Sequence, residues 1–273
     1  MRPSKVLAKI RSGQVARIAC MGHFLPFFVK LAAQNNYDGI WVDAEHRTWD
    51  PRETQALITF HHLFNIDCMW RASTLEKTSL YRLLEDGAAG LIIPHVSTPA
   101  KAQQLVEAMK FPPLGDRGLD GAGLDADFMA APNPTFREDA NRETCLVVQI
   151  ETLQAVENAV AIAAVPGVDV LMLGPADLSI RLGCKKSPIE DPLFLAAQKR
   201  VADAAKRHGK AWGRPCFSPE DAKNLVAAGG QFVIFGSDFG GVYTHLRDSS
   251  VHLDAAIAGK SAASGGGGAA PIP

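Results

Sequence analysis

The sequence predicts a (β/α)8 barrel on three observations. Eight short apolar, β-branched runs recur along the 273 residues, amphipathic stretches separate them, and several runs end in acids, an arginine or a histidine. Such polar ends resist burial, and the rim of a parallel α/β barrel is where they find use. An open doubly wound sheet normally has fewer repeats and often carries a glycine-rich dinucleotide turn after its first strand. Here that turn reads Met21-Gly22-His23-Phe24-Leu25-Pro26, which is no such fingerprint.

In chain order, residues 1–9 are short and basic, without the apolar block of a signal peptide. The expected strands are 16–21, 39–44, 66–71, 90–96, 145–151, 168–174, 210–215 and 232–236. The expected helices include 51–64, 76–87, 99–110, 152–165, 191–208 and 219–228, most opened by Ser, Thr, Asp or Pro. Residues 111–143 break the rhythm with prolines and with Gly115, Gly118, Gly121 and Gly123. A loop of this length is a functional lid or a mobile segment. Residues 1–258 are expected to form one domain, and the glycine-rich stretch 259–273 a flexible low-complexity tail.

Composition narrows the function classes. With 47% hydrophobic residues, 21% charged residues and a formal net charge of −1, the chain has a full core and no electrostatic reason to bind nucleic acid or an anionic membrane. The five scattered cysteines form no C-x-x-C pair and read as reduced thiols, and no apolar stretch is long enough to span a bilayer. The expected location is the cytoplasm.

The strand ends carry the candidate chemistry. Glu151 and Asp177 are one strand-helix unit apart and would share one rim; two carboxylates with water or substrate oxygens suit Mg²⁺ or Mn²⁺. The plain alternative is that each acid caps the helix that follows. Asp43, Glu45 and His46 follow the second strand in the same way, and histidine suits proton transfer near neutral pH. His61, His62, His95 and His208 have no such company and read as structural. Arg71 ends the third strand, where it either stabilises oxyanion charge or pairs with Asp43 or Glu45. Gly174-Pro175-Ala176-Asp177 reads as a strand-to-helix turn with free N–H groups for an anion. No lysine ends an expected strand, which favours metal over Schiff-base chemistry.

Together these residues resemble the HpcH/HpaI aldolase/citrate lyase family of class II pyruvate aldolases, from about Gly39 to Phe239. The most specific parts are Asp43-Ala44-Glu45-His46, Val148-Gln149-Ile150-Glu151-Thr152, and Gly167-Val168-Asp169 leading into Leu173-Gly174-Pro175-Ala176-Asp177-Leu178-Ser179. Leu83-Leu84-Glu85-Asp86-Gly87-Ala88 and Phe111-Pro112-Pro113 with Arg117-Gly118 follow the same order.

The resemblance implies cleavage or formation of a 4-hydroxy-2-oxo acid from pyruvate, or a close 2-oxo acid, and an aldehyde. It implies a divalent cation, Mg²⁺, Mn²⁺ or Co²⁺, on Glu151 and Asp177, with His46 as general base and Arg71 stabilising the enolate oxygen. Glu85 would orient His46, with Asp86 next to it in the chain. Gln149 would line the substrate site, the Ala176 and Asp177 amides would receive the pyruvate carboxylate, and Asp43 and Glu45 would support the cluster. The family also implies a homo-oligomer, a trimer or hexamer with exchanged C-terminal helices.

Two departures bear on the acceptor. Arg71 is followed by Ala72 where the family usually has proline, and His46 is followed by Arg47-Thr48-Trp49-Asp50 rather than a small Ala-Pro or Thr-Pro type of segment. Arg47 and Arg117 are therefore expected to bind an acidic acceptor tail. A malyl- or citramalyl-CoA-type lyase and a non-catalytic metabolite-binding barrel stay open as other readings.

Overall fold

The computed structural model describes residues 1–262. Eight parallel strands close in sequence order into a barrel, β8 pairing back onto β1. They are β1 (Ala16–Met21), β2 (Gly39–Asp43), β3 (Asp67–Arg71), β4 (Gly90–Ile93), β5 (Cys145–Ile150), β6 (Val170–Leu173), β7 (Ala211–Pro215) and β8 (Phe232–Ser237). Each lies within a residue or a few of its expected bounds, because apolar, β-branched runs suit strands covered on both faces.

The helices are α1 (Lys5–Arg11), α2 (Pro26–Gln34), α3 (Pro51–Leu63), α4 (Lys77–Glu85), α5 (Pro99–Met109), α6 (Phe136–Glu143), α7 (Leu153–Glu157), α8 (Ala159–Ala163), α9 (Pro175–Leu182), α10 (Pro192–Arg207), α11 (Pro219–Ala227) and α12 (Asp238–Ala262). The single helix expected over 152–165 is two short ones meeting at Asn158, whose side chain donates to Ser97 O at 2.8 Å. The long connection of 111–143 contains a 3-10 turn (Leu124–Met129) and α6.

Side chains from Ile18, Trp41, Met69, Ile92, Val147, Met172 and Phe232 fill the barrel interior, which is a packed core and not a pore. Val6 and Leu7 of α1 join that core. Asp67, fully buried at the start of β3, anchors the start of α1 by accepting from Ser4 Oγ at 2.6 Å, Val6 N at 2.9 Å and Arg2 Nη2 at 2.7 Å. The larger core lies between strands and helices and includes Val29, Leu57, Leu80, Leu105, Ile162 and Phe194.

All five cysteines are free thiols. No described helix is long and apolar enough to cross a membrane. Helix α12 continues to Ala262, and the rest of the expected 259–273 tail lies outside the described residues.

Candidate active site

Parallel strands in a barrel all point one way, so the residues at their C-terminal ends meet on one rim. Asp43 ends β2, Arg71 ends β3, and Glu151 stands one residue beyond β5. Asp177 does not end a strand: it sits in the first turn of α9, because Pro175 opens that helix directly after Gly174.

Arg71 realises the ion-pair alternative on both sides. Its Nε and Nη2 donate to Asp43 Oδ1 at 3.0 and 2.8 Å, and its Nη1 lies 2.9 Å from Glu45 Oε2. The guanidinium also lies 4.6 Å from the Trp41 ring centroid, a cation–π contact that fixes its plane. Asp43 Oδ1 accepts from the backbone N–H groups of Glu45 and His46 at 3.0 and 3.2 Å, so one carboxylate sets both the arginine and the loop. Trp49 closes that loop by donating Nε1 to Asp43 O at 2.7 Å.

His46 is half-exposed, with Nε2 3.7 Å from Glu45 Oε2. Glu85 lines the same cavity of about 1260 Å³ as His46, Arg47, Trp49 and Ser73. Among the described residues no hydrogen bond joins Glu85 to His46. Burial pushes the Glu85 carboxyl above its ordinary range, Arg117 pulls it back, and Asp125, Asp120 and Asp86 push it up. Asp86 is already engaged, accepting from Gln55 Nε2 at 2.8 Å, which leaves Glu85 the freer of the two acids.

Glu151 is almost fully buried, 1% exposed. Its Oε1 accepts from the His95 backbone N–H at 2.7 Å and lies 3.0 Å from His95 Nδ1; its Oε2 accepts from Gln149 Nε2. Burial is the main cause raising its carboxyl above the usual range. The His95 N–H and imidazole oppose that shift, and the charges of Glu45 and Asp177 add to it. The helix-cap alternative fails for Glu151, since Thr152 Oγ1 caps α7 by accepting from Ala155 N. Asp177 makes no cap bond either, and Arg181 Nη1 bridges its Oδ1 at 2.8 Å to Glu151 O at 3.0 Å.

These groups fit a hard divalent cation. The charges of Glu45 and Asp177 both press on the Glu151 carboxylate, and the buried Gln149 Oε1 beside it has no partner. A Cβ on Gly174 would meet Gln149 Nε2 at 2.8 Å, so the chain leaves room there for the carboxylate and amide. Among the described residues no three His, Cys, Asp or Glu side chains form a ready-made metal cage. Two protein carboxylates with the remaining positions left to water or substrate oxygens is a coordination that Mg²⁺ and Mn²⁺ accept.

Two further placements differ from the sequence reading. His95, read as structural, joins the two acidic clusters, because the turn after β4 swings it onto Glu151 and Glu45. No local signal marked it, since the expected strand 90–96 runs through residue 95 and the observed β4 stops at Ile93. Arg117, expected at the acceptor, is 4% exposed, pairs with Asp125 at 2.6 Å and stacks 4.7 Å over the Phe111 ring.

The family model described as HpcH/HpaI aldolase/citrate lyase matches residues 24–244. A hydroxypyruvate/pyruvate aldolase of Deinococcus radiodurans is 34% identical over 216 residues, covering 78% of this chain and 76% of that protein. A 2-keto-3-deoxy-L-rhamnonate aldolase of Salmonella schwarzengrund is 33% identical over 235 residues, covering 83% and 84%. The crystal structure of an HpcH/HpaI aldolase from Desulfitobacterium hafniense superposes with a TM-score of 0.85 at 27% identity, over 90% of this chain and 95% of that one.

Proposed function

The chain belongs to the HpcH/HpaI aldolase/citrate lyase family and is a carbon–carbon lyase of the aldolase type, and from that premise we propose a metal-dependent aldolase that splits a 4-hydroxy-2-oxo acid into pyruvate and an aldehyde. The observation that carries this reading is the convergence of Glu45, Glu151 and Asp177 beside Arg71 and His46 on one rim.

Glu151 and Asp177 would hold the cation. Bound there, it supplies Lewis-acid stabilisation of the negative charge developing on the 2-oxo acid, worth several kcal/mol of barrier. Arg71, its plane fixed by Trp41 and Asp43, directs N–H donors at the same developing charge. The first-turn amides of α9, at Ala176 and Asp177, lack helical acceptors and receive the substrate carboxylate. Gln149 lines the floor and orients Glu151. His46 takes the proton from the C4 hydroxyl as the C3–C4 bond breaks and the aldehyde C=O forms; the C3–C4 electron pair stays with the three-carbon fragment, whose C3 then takes a proton to give pyruvate, and synthesis runs the same steps in reverse. Glu85, which lines the same cavity, would orient His46.

The reading extends to assembly. Helix α12 exposes Phe239, Val242, Tyr243, Leu246, Leu253 and Ile257, and a homo-oligomer, trimer or hexamer, would cover them. Light scattering on the purified chain measures this directly, and a monomer at working concentration would refute it.

The activity is tested by a pyruvate-release screen of 4-hydroxy-2-oxo acids with Mg²⁺, Mn²⁺ or Co²⁺ against a chelated control. Release that needs added metal is expected. Equal release after chelation would overturn the metal assignment.

A further inference from the structure

His95 has a left-handed backbone, φ 54°, which an L residue with a ring side chain adopts only when its surroundings offset the strain. Polar contacts hold it from several sides. Lys101 Nζ donates to the His95 carbonyl at 2.9 Å, which pins the residue from α5. The His95 N–H and Nδ1 both address Glu151 Oε1, at 2.7 and 3.0 Å, while Nε2 lies 3.4 Å from Glu45 Oε1. An αL residue thus presents its main-chain and side-chain donors to one oxygen of a buried carboxylate.

We infer that His95 is a positioning residue for the cation site: its Nδ1–H, with its own N–H, fixes the rotamer of Glu151 so that the carboxylate faces the space it shares with Asp177. This rests on the metal reading above and assigns a residue to it. The physical case is that Glu151 has charged neighbours of its own sign on two sides and would otherwise turn away from them. Gln149 holds Oε2, and His95 holds Oε1. The two His95 donors fill Oε1, and Oε2 with its single donor keeps a lone pair for a cation, because a carboxylate accepts about four hydrogen bonds in all. Donors that orient a ligand in this way commonly change metal affinity by about 10–100-fold when removed.

The test is a Mn²⁺ titration, followed by the electron paramagnetic resonance of free Mn²⁺, on the full chain at one fixed pH. The variants are E151Q, H95G and H95N, each checked by circular dichroism and thermal unfolding. Glycine keeps the left-handed backbone and the N–H bond to Glu151 while removing the ring. Asparagine also tolerates that backbone, and its amide nitrogen stands close to where Nδ1 stands, with nothing at the Nε2 position.

The expected result is a Kd raised about tenfold or more in H95G and restored to within about threefold of the parent in H95N. If H95G binds Mn²⁺ as tightly as the parent, or more tightly because the ring competes for Glu151, the inference is wrong. If H95N binds as weakly as H95G, Nε2 and not Nδ1 matters, and the positioning role is equally wrong. Should E151Q match the parent, the cation site itself is misplaced and this inference falls with it. That failure shows in E151Q and needs no His95 variant to be seen.

Discussion

Gly174 leaves open the space that the Glu151 carboxylate occupies: a Cβ built on Gly174 would collide with Glu151 Oε2 and come within 2.9 Å of Glu151 Cβ. The glycine is not there for its backbone angles, since its φ is −94°. It is there because β5 and β6 bring Gly174 N onto Ile150 O at 3.1 Å, directly beside Glu151.

G174A should therefore displace Glu151 and lower Mn²⁺ affinity about tenfold or more, at an overpacking cost of about 1–3 kcal/mol. E151Q should lose metal-dependent pyruvate release with the domain still folded. D177N should do the same while changing stability by less than about 1 kcal/mol, because its exposed pair with Arg181 contributes little. Metal titration alongside urea unfolding checks all three, and full activity with unchanged metal content in E151Q and D177N would reject them as ligands.

His46→Ala should slow carbon–carbon cleavage by about 10²–10⁴-fold and leave metal occupancy and pyruvate affinity near the parent values. The reason is geometric: His46 is half-exposed and its nearest carboxylate is Glu45 at 3.7 Å, so its loss removes proton transfer without unpacking a core. Glu85→Gln should lower turnover in the same direction and Asp86→Asn should leave it unchanged. Cleavage at the parent rate by His46→Ala would make this histidine structural.

Arg47 and Arg117 should now behave differently. R117A strips the partner from buried Asp125 and should cost about 3–5 kcal/mol of stability, whatever the acceptor. R47A, on an exposed side chain whose stem lies over Gly22, should lower the preference for acidic over neutral aldehydes about tenfold. Thermal unfolding and kcat/KM with paired acceptors separate the two effects, and a folded R117A with altered acceptor preference would contradict the burial argument.

His61 should make the protein acid-sensitive. It is fully buried, donates Nδ1 to Leu57 O at 2.8 Å, and burial lowers its pKa from 6.5 to about 4. The unfolded chain then binds the extra proton, so this contribution is complete above pH 6.5 and is lost as the pH falls from there toward about 4. The full loss is on the order of 3 kcal/mol. Urea midpoints measured across that window should fall less steeply in His61→Phe than in the parent, and identical slopes would place the acid sensitivity elsewhere.

The barrel and most of its rim positions are legible in the chain alone. Eight apolar runs that end in polar groups leave few architectures, since a parallel strand covered on both faces is apolar along most of its length and polar groups gather at its C-terminal end; Asp67 at the start of β3 is tolerated because Arg2, Ser4 and Val6 all donate to it. Asp43, Arg71 and Glu151 were legible for that reason. The partners of those rim groups depend on contacts between distant segments. Whether Arg71 meets Asp43, Glu45 or both depends on the register of β2 against β3, which pairs Asp43 with Arg71. His95 enters the site through a left-handed turn that no local pattern announces. Arg117 leaves the acceptor region because Asp125, eight residues further along the same long loop, folds back to pair with it in the interior. Strand periodicity is a local property of the chain; the partner a charged side chain finds is set by which loops the closed barrel brings together.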